Sequence, residues 1–263
     1  MQRPLLLLLI SAAVLSASPP AATPARDHVL LITIDDLNDW VGGLGGHPQA
    51  STPHFDRLAK RGVLFTNAHC QAPICKPSRT SFMSGLRPST TGVYGNHVEH
   101  DSRGRLTPGK DVPWLPLRFQ QAGYQTYAAG KLLHHGNQGL GEILAPATGQ
   151  GPYPEKKMNV PAEVTPKGIW DYGPWPKQEN FTDWKMAQWT IDHIAEPLDE
   201  NATPRFLSLG FYRPHVPLFA PPKWFDAAPK PEDIILAPAP PDDIDDLPAI
   251  ARRMYSRVSF QAP

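Results

Sequence analysis

Cysteine is scarce in this sequence, with only Cys70 and Cys75 among 263 residues. Two cysteines are too few for the disulfide framework on which many small exported proteins depend. A bridge between these two would close a very short loop containing Pro73, a geometry that is possible but not favoured. Three interpretations of Cys75 are open: a plain buried thiol, half of a disulfide with Cys70, or a chemically special residue.

An excess of charge of either sign is also missing, because 25 lysine and arginine residues balance 25 aspartate and glutamate residues. A neutral chain has no bulk attraction for nucleic acid or for an anionic membrane surface. We therefore expect no nucleic acid partner. If the protein binds an anion, the binding site must be a local cluster of cationic side chains.

Long hydrophobic runs are missing except at the start of the chain, "MQRPLLLLLISAAVLSASPPAATPA". A positive residue, a short apolar run and several small residues follow one another there, which is the pattern of a secretory signal peptide. The run is too short for a membrane span of about 20 residues. We expect residues 1–25 to be a signal peptide and the mature chain to be exported, either periplasmic or secreted (lysosomal or extracellular in a eukaryote), without membrane attachment after cleavage.

Short apolar runs predict four strands, at residues 28–34, 63–69, 124–129 and 205–211. The first run is uniformly apolar, so we expect it to be buried on both faces. Helical spacing and glycine stops predict helices in the segments 51–62, 78–85, 114–123 and 180–196. This alternation indicates an α/β sandwich, with a mainly parallel central sheet flanked by helices.

Reactive side chains follow the end of each predicted strand. In chain order they are Asp35 and Asp36, Cys75, Lys131 and His134, and Arg213 and His215. Ligands collect at the carboxyl ends of parallel strands. We therefore expect these residues to form one site.

Each of these residues can belong to a functional site or can be an ordinary structural or surface residue. Asp35 and Asp36 can turn toward one hard cation, or they can belong to a solvated loop or helix cap. Lys131 supplies a fixed positive charge, and His134 and His215 can transfer a proton near neutral pH. Each of these three can equally be a surface polar residue in a loop.

The segment "CKPSR" adds a candidate nucleophile. If Ser78 begins a helix, Cys75 lies near a positive helix N-terminus that suits an anion. The guanidinium of Arg79 adds a fork for a tetrahedral oxyanion. Cations, a hard metal and a nucleophile together favour the transfer of a charged XO₃-type group. These residue types do not distinguish sulfate from phosphate.

The same segments resemble a known family. "CKPSR" matches the C-x-P-S-R signature of type I, formylglycine-dependent sulfatases, and "TSFMSGLRPSTTGVYGN" continues the match. "LLITIDDL", "TPHFDRLAKRGVLFTNAHC", "GKLLHHG" and "RPHVPL" resemble further family segments, in the family's order. The resemblance covers about residues 27–260 and is greatest to the iduronate-2-sulfatase-like branch.

The resemblance implies an alkaline-phosphatase/sulfatase-like sandwich and a sulfatase mechanism. Cys75 would be oxidised by a formylglycine-generating maturation enzyme, and one hydroxyl of the hydrated aldehyde would attack sulfur while the other would help to expel sulfate. Asp35 and Asp36, with the modified Cys75, would bind Ca²⁺. The remaining implied roles are stabilisation of the hydrate by Arg79, sulfate binding by Lys131 and His215, protonation of the leaving alcohol by His215 or Lys131, and orientation of the eliminating hydroxyl by His134.

The resemblance also bears on the extent of the domain. Residues 26–263 would be the N-terminal portion of the family's catalytic domain, truncated before its C-terminal part, because the sequence contains no "DHG" segment with the remaining metal ligands. The implied activity is sulfuric ester hydrolysis on sulfated carbohydrate. The alternatives are a phosphonate or phosphate ester hydrolase of the same superfamily, or a non-catalytic truncated fragment.

Overall fold

A computed structural model describes residues 27–97, 107–108, 110–134, 140–146, 171–196, 203–236, 242 and 244–257. The predicted signal peptide, residues 1–25, lies outside the described residues. Within the described ranges, every helix is too short or too polar to cross a bilayer.

All described strands of the central sheet pair in parallel. The central sheet contains β1 (Val29–Ile34), β2 (Gln125–Gly130), β3 (Ile143–Leu144) and β5 (Arg205–Phe211). The strand between β3 and β5 in the chain, β4 (Tyr172–Pro174), belongs to a second sheet. The order of strands in the central sheet is β1-β5-β2-β3, so β5 lies between β1 and β2. β4 pairs in parallel with β6 (Leu218–Ala220) in the small second sheet. The carboxyl ends of β1, β5 and β2 therefore meet at one edge.

Helices cover both faces of the central sheet. The α-helices of the described residues are α1 (Pro53–Arg61), α2 (Cys75–Ser84), α3 (Pro88–Thr91), α4 (Leu115–Gln121), α5 (Thr182–Ala195), α6 (Pro222–Asp226) and α7 (Ala249–Arg257). On one face, Met83 of α2 packs with Ala128 of β2. On the other, Met186 of α5 packs with Ala129 and Leu209. Because neighbouring residues of a strand point to opposite faces, the structure confirms the predicted sandwich.

One predicted strand does not form. Residues 63–69 are irregular, and the side chains of Val63 and Phe65 are 80% and 76% exposed. None of the described strands pairs with this apolar run, and the neighbour of β1 in the sheet is β5, from much later in the chain.

Two details of the remaining elements also differ from expectation. β1 is not buried on both faces, because Leu30 and Ile32 are 44% and 46% exposed on one side of this end strand of the described sheet. The helix expected from Ser78 begins at Cys75, since the backbone N–H of Ser78 already donates to the carbonyl of Ile74. Cys75 thus lies in the first turn of α2.

Candidate active site

The carboxyl edge of the sheet places Asp35 and Lys131 on either side of β5. The N–H of Asp35 donates to the carbonyl of Phe211 at 3.1 Å, and the N–H of Lys131 donates to the carbonyl of Gly210 at 2.7 Å. Gly130 has a φ of 69°, and a Cβ atom there would lie 2.0 Å from the carbonyl oxygen of Gly210. Only glycine permits this approach of β2 to β5, and the approach sets the position of Lys131.

Asp35 is the centre of a buried ion cluster. Nη2 of Arg79 lies 2.6 Å from Oδ1 of Asp35, and Nζ of Lys131 contacts Oδ2. Arg79 also donates from Nη1 to the carbonyl of Lys131 at 2.5 Å, and all three residues are buried. Burial raises the pKa of Asp35, but the hydrogen bonds and charges of Arg79 and Lys131 outweigh it, and the net pKa is lowered. Asp35 is therefore ionised at neutral pH.

Cys75 begins α2 as a reduced, partly buried thiol. Both cysteines are free, so the described structure contains no bridge between Cys70 and Cys75. Burial first, and then the charge of Asp35, raises the pKa of Cys75. Since the thiolate is the nucleophilic form of cysteine, the unmodified side chain is a poor nucleophile at neutral pH.

Asp36 and His215 face each other across the mouth of the site. Asp36 has a φ of 59°, a left-handed conformation that costs an L-residue roughly 1–2 kcal/mol. Its Oδ2 atom lies 3.9 Å from Nε2 of His215. Nδ1 of His215 lies 2.6 Å from the carbonyl oxygen of Val216, which can only accept. Nδ1 therefore carries a proton, and Nε2 is the nitrogen that faces Asp36.

The predicted residues from β1, α2 and the segment after β5 converge. One ligand atom each from Asp35, Cys75 and His215 lies within 4.8 Å of the other two. A cleft of about 500 Å³ opens beside this group. Its lining includes Asp35, Asp36, Asn38, Cys75, Ser78 and Arg79. The cleft thus brings together carboxylates, a cation and the candidate nucleophile.

His134 and Arg213 have different positions relative to this group. His134 lies three residues beyond Lys131, is partly buried, and is not one of the three converging ligand residues. Its role stays a prediction. Arg213 donates from Nη1 to the carbonyl of His215 at 2.6 Å, so it supports the backbone that carries the histidine.

The carboxylate oxygens of this site are the ligand type that a hard cation prefers, and they supply part of its coordination shell. Ca²⁺ takes 6–8 oxygen ligands. Asp35 and Asp36 offer carboxylate oxygens, although both oxygens of Asp35 already contact cations. In the part of the chain that the structure describes, the close group of ionisable ligands contains one carboxylate, Asp35, with Cys75 and His215. A full shell needs further oxygen donors.

Two supporting residues were not found from the sequence. Asn96 accepts from the N–H of Lys76 through Oδ1 at 2.9 Å and so caps the first turn of α2. Asp183, in the first turn of α5, accepts from the N–H groups of Tyr212 and Arg213. Both bond to distant backbone amides, which leave no local signature. Only the position of Asn96 within "TTGVYGN" could have drawn attention to it.

The fold is a parallel α/β sandwich, and the acidic and cationic side chains at its carboxyl edge form a site suited to a charged ligand. The chain matches the family model Sulfatase over residues 27–234 and belongs to that family. It is 37% identical over 248 residues to a sulfatase of Formosa agariphila, covering 87% of this chain and 47% of the relative. It is 32% identical over 263 residues to iduronate 2-sulfatase of Homo sapiens, covering 93% and 45%. The chain spans about half the length of these curated relatives.

Solved structures show the same fold. A protein in complex with D-glucosamine-2-N,6-O-disulfate superposes with a TM-score of 0.57 at 21% identity, covering 82% of this chain and 40% of that one. The phosphonate monoester hydrolase of Agrobacterium radiobacter superposes with a TM-score of 0.55 at 21% identity, covering 78% and 45%. The chain therefore shares its fold with both of these proteins.

Proposed function

We propose that this chain carries the catalytic centre of an exported sulfuric ester hydrolase that acts on sulfated carbohydrate. The observation that carries the proposal is the convergence of Asp35, Cys75 and His215 within 4.8 Å, beside the buried cations Arg79 and Lys131. Family membership and the sulfatases among the relatives support a sulfate ester as the substrate. The disulfated glucosamine bound by a protein of the same fold supports a sugar as its carrier.

Cys75 would be the site of modification by a formylglycine-generating enzyme. Its thiol is largely protonated at neutral pH because burial and Asp35 raise its pKa, so the unmodified residue does not supply a nucleophile. Conversion to formylglycine supplies a hydrated aldehyde, whose hydroxyl is the nucleophile toward sulfur. Arg79 lies one helical turn from Cys75 in α2 and would stabilise charge on that group.

Asp35 and Asp36 would hold Ca²⁺, which supplies positive charge to polarise the ester. The left-handed backbone of Asp36 supports this role, because strained residues of this kind cluster at functional sites. Lys131 and His215 would bind the sulfate oxygens. Since the ammonium of Lys131 already contacts Asp35, His215 is the better donor of a proton to the leaving alcohol through Nε2. His134 would orient the hydroxyl that expels sulfate.

The experiment is co-expression of the chain with a formylglycine-generating enzyme, followed by peptide mass spectrometry and assays with 4-nitrophenyl sulfate and 4-nitrophenyl phosphate in Ca²⁺. We expect Cys75 to lose its sulfur and the sulfate ester to be hydrolysed faster. Cys75→Ala removes activity, and Cys70→Ala is the matched control that keeps it. A retained thiol without sulfate turnover overturns the proposal, and faster phosphate hydrolysis reassigns the chain to phosphoryl chemistry. Calorimetry with Ca²⁺, compared between wild type and Asp36→Asn, tests the metal separately.

A further inference from the structure

The segment that carries His215 is held by a side chain from another element. After β5 ends at Phe211, the chain turns through Tyr212 and Arg213 before reaching the histidine. Oδ1 of Asp183 accepts from the N–H of Tyr212 at 2.7 Å, and Oδ2 accepts from the N–H of Arg213 at 2.8 Å. One carboxylate thus fixes two successive peptide groups at the point where the strand gives way to the site.

Asp183 is itself fixed. It lies in the first turn of α5. Burial raises the pKa of Asp183, while the hydrogen bonds from the N–H groups of Tyr212 and Arg213 lower it and hold the carboxylate in place. α5 is anchored to the sheet because Met186, one turn further along, packs in a buried cluster with Ala129 and Leu209. The carboxylate therefore links the rigid sheet layer to the segment beyond β5.

The fixed peptide groups lead directly to His215. The carbonyl of Tyr212 accepts from the N–H of His215 at 3.0 Å, and the guanidinium of Arg213 donates to the carbonyl of His215 at 2.6 Å. The histidine backbone is thus held at both its N–H and its carbonyl by the two residues that Asp183 binds. The centroid of the Tyr212 ring also lies 5.8 Å from Nζ of Lys131. Tyr212 is therefore close to Lys131, the other residue proposed to bind the sulfate oxygens.

We propose that Asp183 is a positioning residue that orients His215 toward the ester by clamping the amides of Tyr212 and Arg213. The proposal rests on the proposed function for the role of His215 as proton donor. A clamp of this kind matters most when the leaving group needs the proton. The hydroxyl group of a sugar is a poor leaving group and needs the proton, whereas nitrophenolate leaves readily without a proton.

The first test measures the clamp without any turnover. Amide hydrogen exchange is followed in wild type, Asp183→Ala, Asp183→Asn and the control Asp192→Asn, which changes an exposed aspartate of the same helix. Asp183→Ala should speed exchange at Tyr212 and Arg213 by about tenfold or more, because a hydrogen bond to a charged group is worth about 1.5–3 kcal/mol and about 1.4 kcal/mol corresponds to tenfold. Asp183→Asn should have a smaller effect, and Asp192→Asn none. Unchanged protection at Leu209 confirms that the variants are folded, and unchanged exchange at both amides overturns the clamp.

The second test measures positioning in the modified enzyme. Asp183→Asn should lower kcat for a monosaccharide sulfate at least tenfold more than for 4-nitrophenyl sulfate, with KM changing less than kcat. Equal losses on the two esters overturn positioning, because a merely structural residue would affect both alike. If wild type hydrolyses neither ester, the proposed function fails, while exchange at the two amides still decides whether the clamp exists.

Discussion

The guanidinium of Arg79 and the carboxylate of Asp35 form an ion pair at 2.6 Å in which each side chain is only 5% exposed. Asp35 also balances the ammonium of Lys131, so one carboxylate compensates two buried cations. Such pairs add little net stability over an apolar packing, but removing one partner is costly because the other charge stays buried.

Removal of that carboxylate is expected to be severely destabilising. Asp35→Ala should lower the free energy of unfolding by about 3–5 kcal/mol, because Arg79 and Lys131 lose their counter-charge. Glu196→Ala is the matched control: Glu196 pairs with Arg205 at 3.1 Å but its side chain is 49% exposed, so its loss should cost about 0–1 kcal/mol. Urea unfolding measures both, and equal effects would contradict the charge balance inferred for the buried cluster.

Acid is expected to remove the contribution of Asp35. Because its pKa in the folded protein is below the ordinary value of 3.8, its ionised form stabilises the fold above that value. The contribution is lost as the pH falls from 3.8 through the folded pKa. Wild type should therefore lose more stability on acidification than Asp35→Asn, as measured by urea unfolding at a series of pH values. Parallel curves for the two proteins would show that the pKa of Asp35 is the same in the folded and unfolded states.

The two cysteines are expected to differ in their reactivity before any modification. Burial and the carboxylate of Asp35 raise the pKa of Cys75, whereas Cys70 is exposed. Iodoacetamide should therefore alkylate Cys70 first at neutral pH, and the rate at Cys75 should rise with pH as its thiolate forms. Quenched time points read by peptide mass spectrometry give both rates in one sample. Faster alkylation of Cys75 at neutral pH would show that it is an activated thiol.

Two glycines with the same backbone angle are expected to respond differently to alanine. Gly130 and Gly45 both have a φ of 69°, so alanine is strained at either position. A Cβ atom at Gly130 would also meet the carbonyl oxygen of Gly210 at 2.0 Å, while Gly45 has open space. Gly45→Ala should cost about 1–2 kcal/mol. Gly130→Ala should cost clearly more and separate β2 from β5, and similar melting temperatures for the two variants would contradict this contact.

The sequence predicts those parts of the fold that depend on local pattern. The runs at 28–34, 124–129 and 205–211 form strands because each finds a parallel neighbour. The run at 63–69 has a similar composition, but strand formation also requires a partner, and none of the described strands pairs with this run. Long-range pairing of this kind is decided by the whole chain and is not encoded in a seven-residue window.

The site was predictable where its residues follow strand ends. Asp35 and Lys131 lie where the parallel order brings them together, and His215 follows a few residues behind β5. Asn96 and Asp183 were not predictable, because each acts on backbone amides at a long sequence distance. In the sequence, an aspartate that binds two distant amides cannot be distinguished from any other aspartate in the first turn of a helix.

The place of β5 in the sheet has a consequence for biosynthesis. Among the described strands of the central sheet, β5 is the last to be synthesised, yet it lies between β1 and β2. Translation proceeds at about 5–20 residues per second, so the earlier strands wait for their common neighbour. Until then no described strand connects β1, which carries Asp35 at its end, to β2, which leads into Lys131. The strand order therefore delays assembly of the buried cluster of Asp35, Arg79 and Lys131 until β5 has been synthesised.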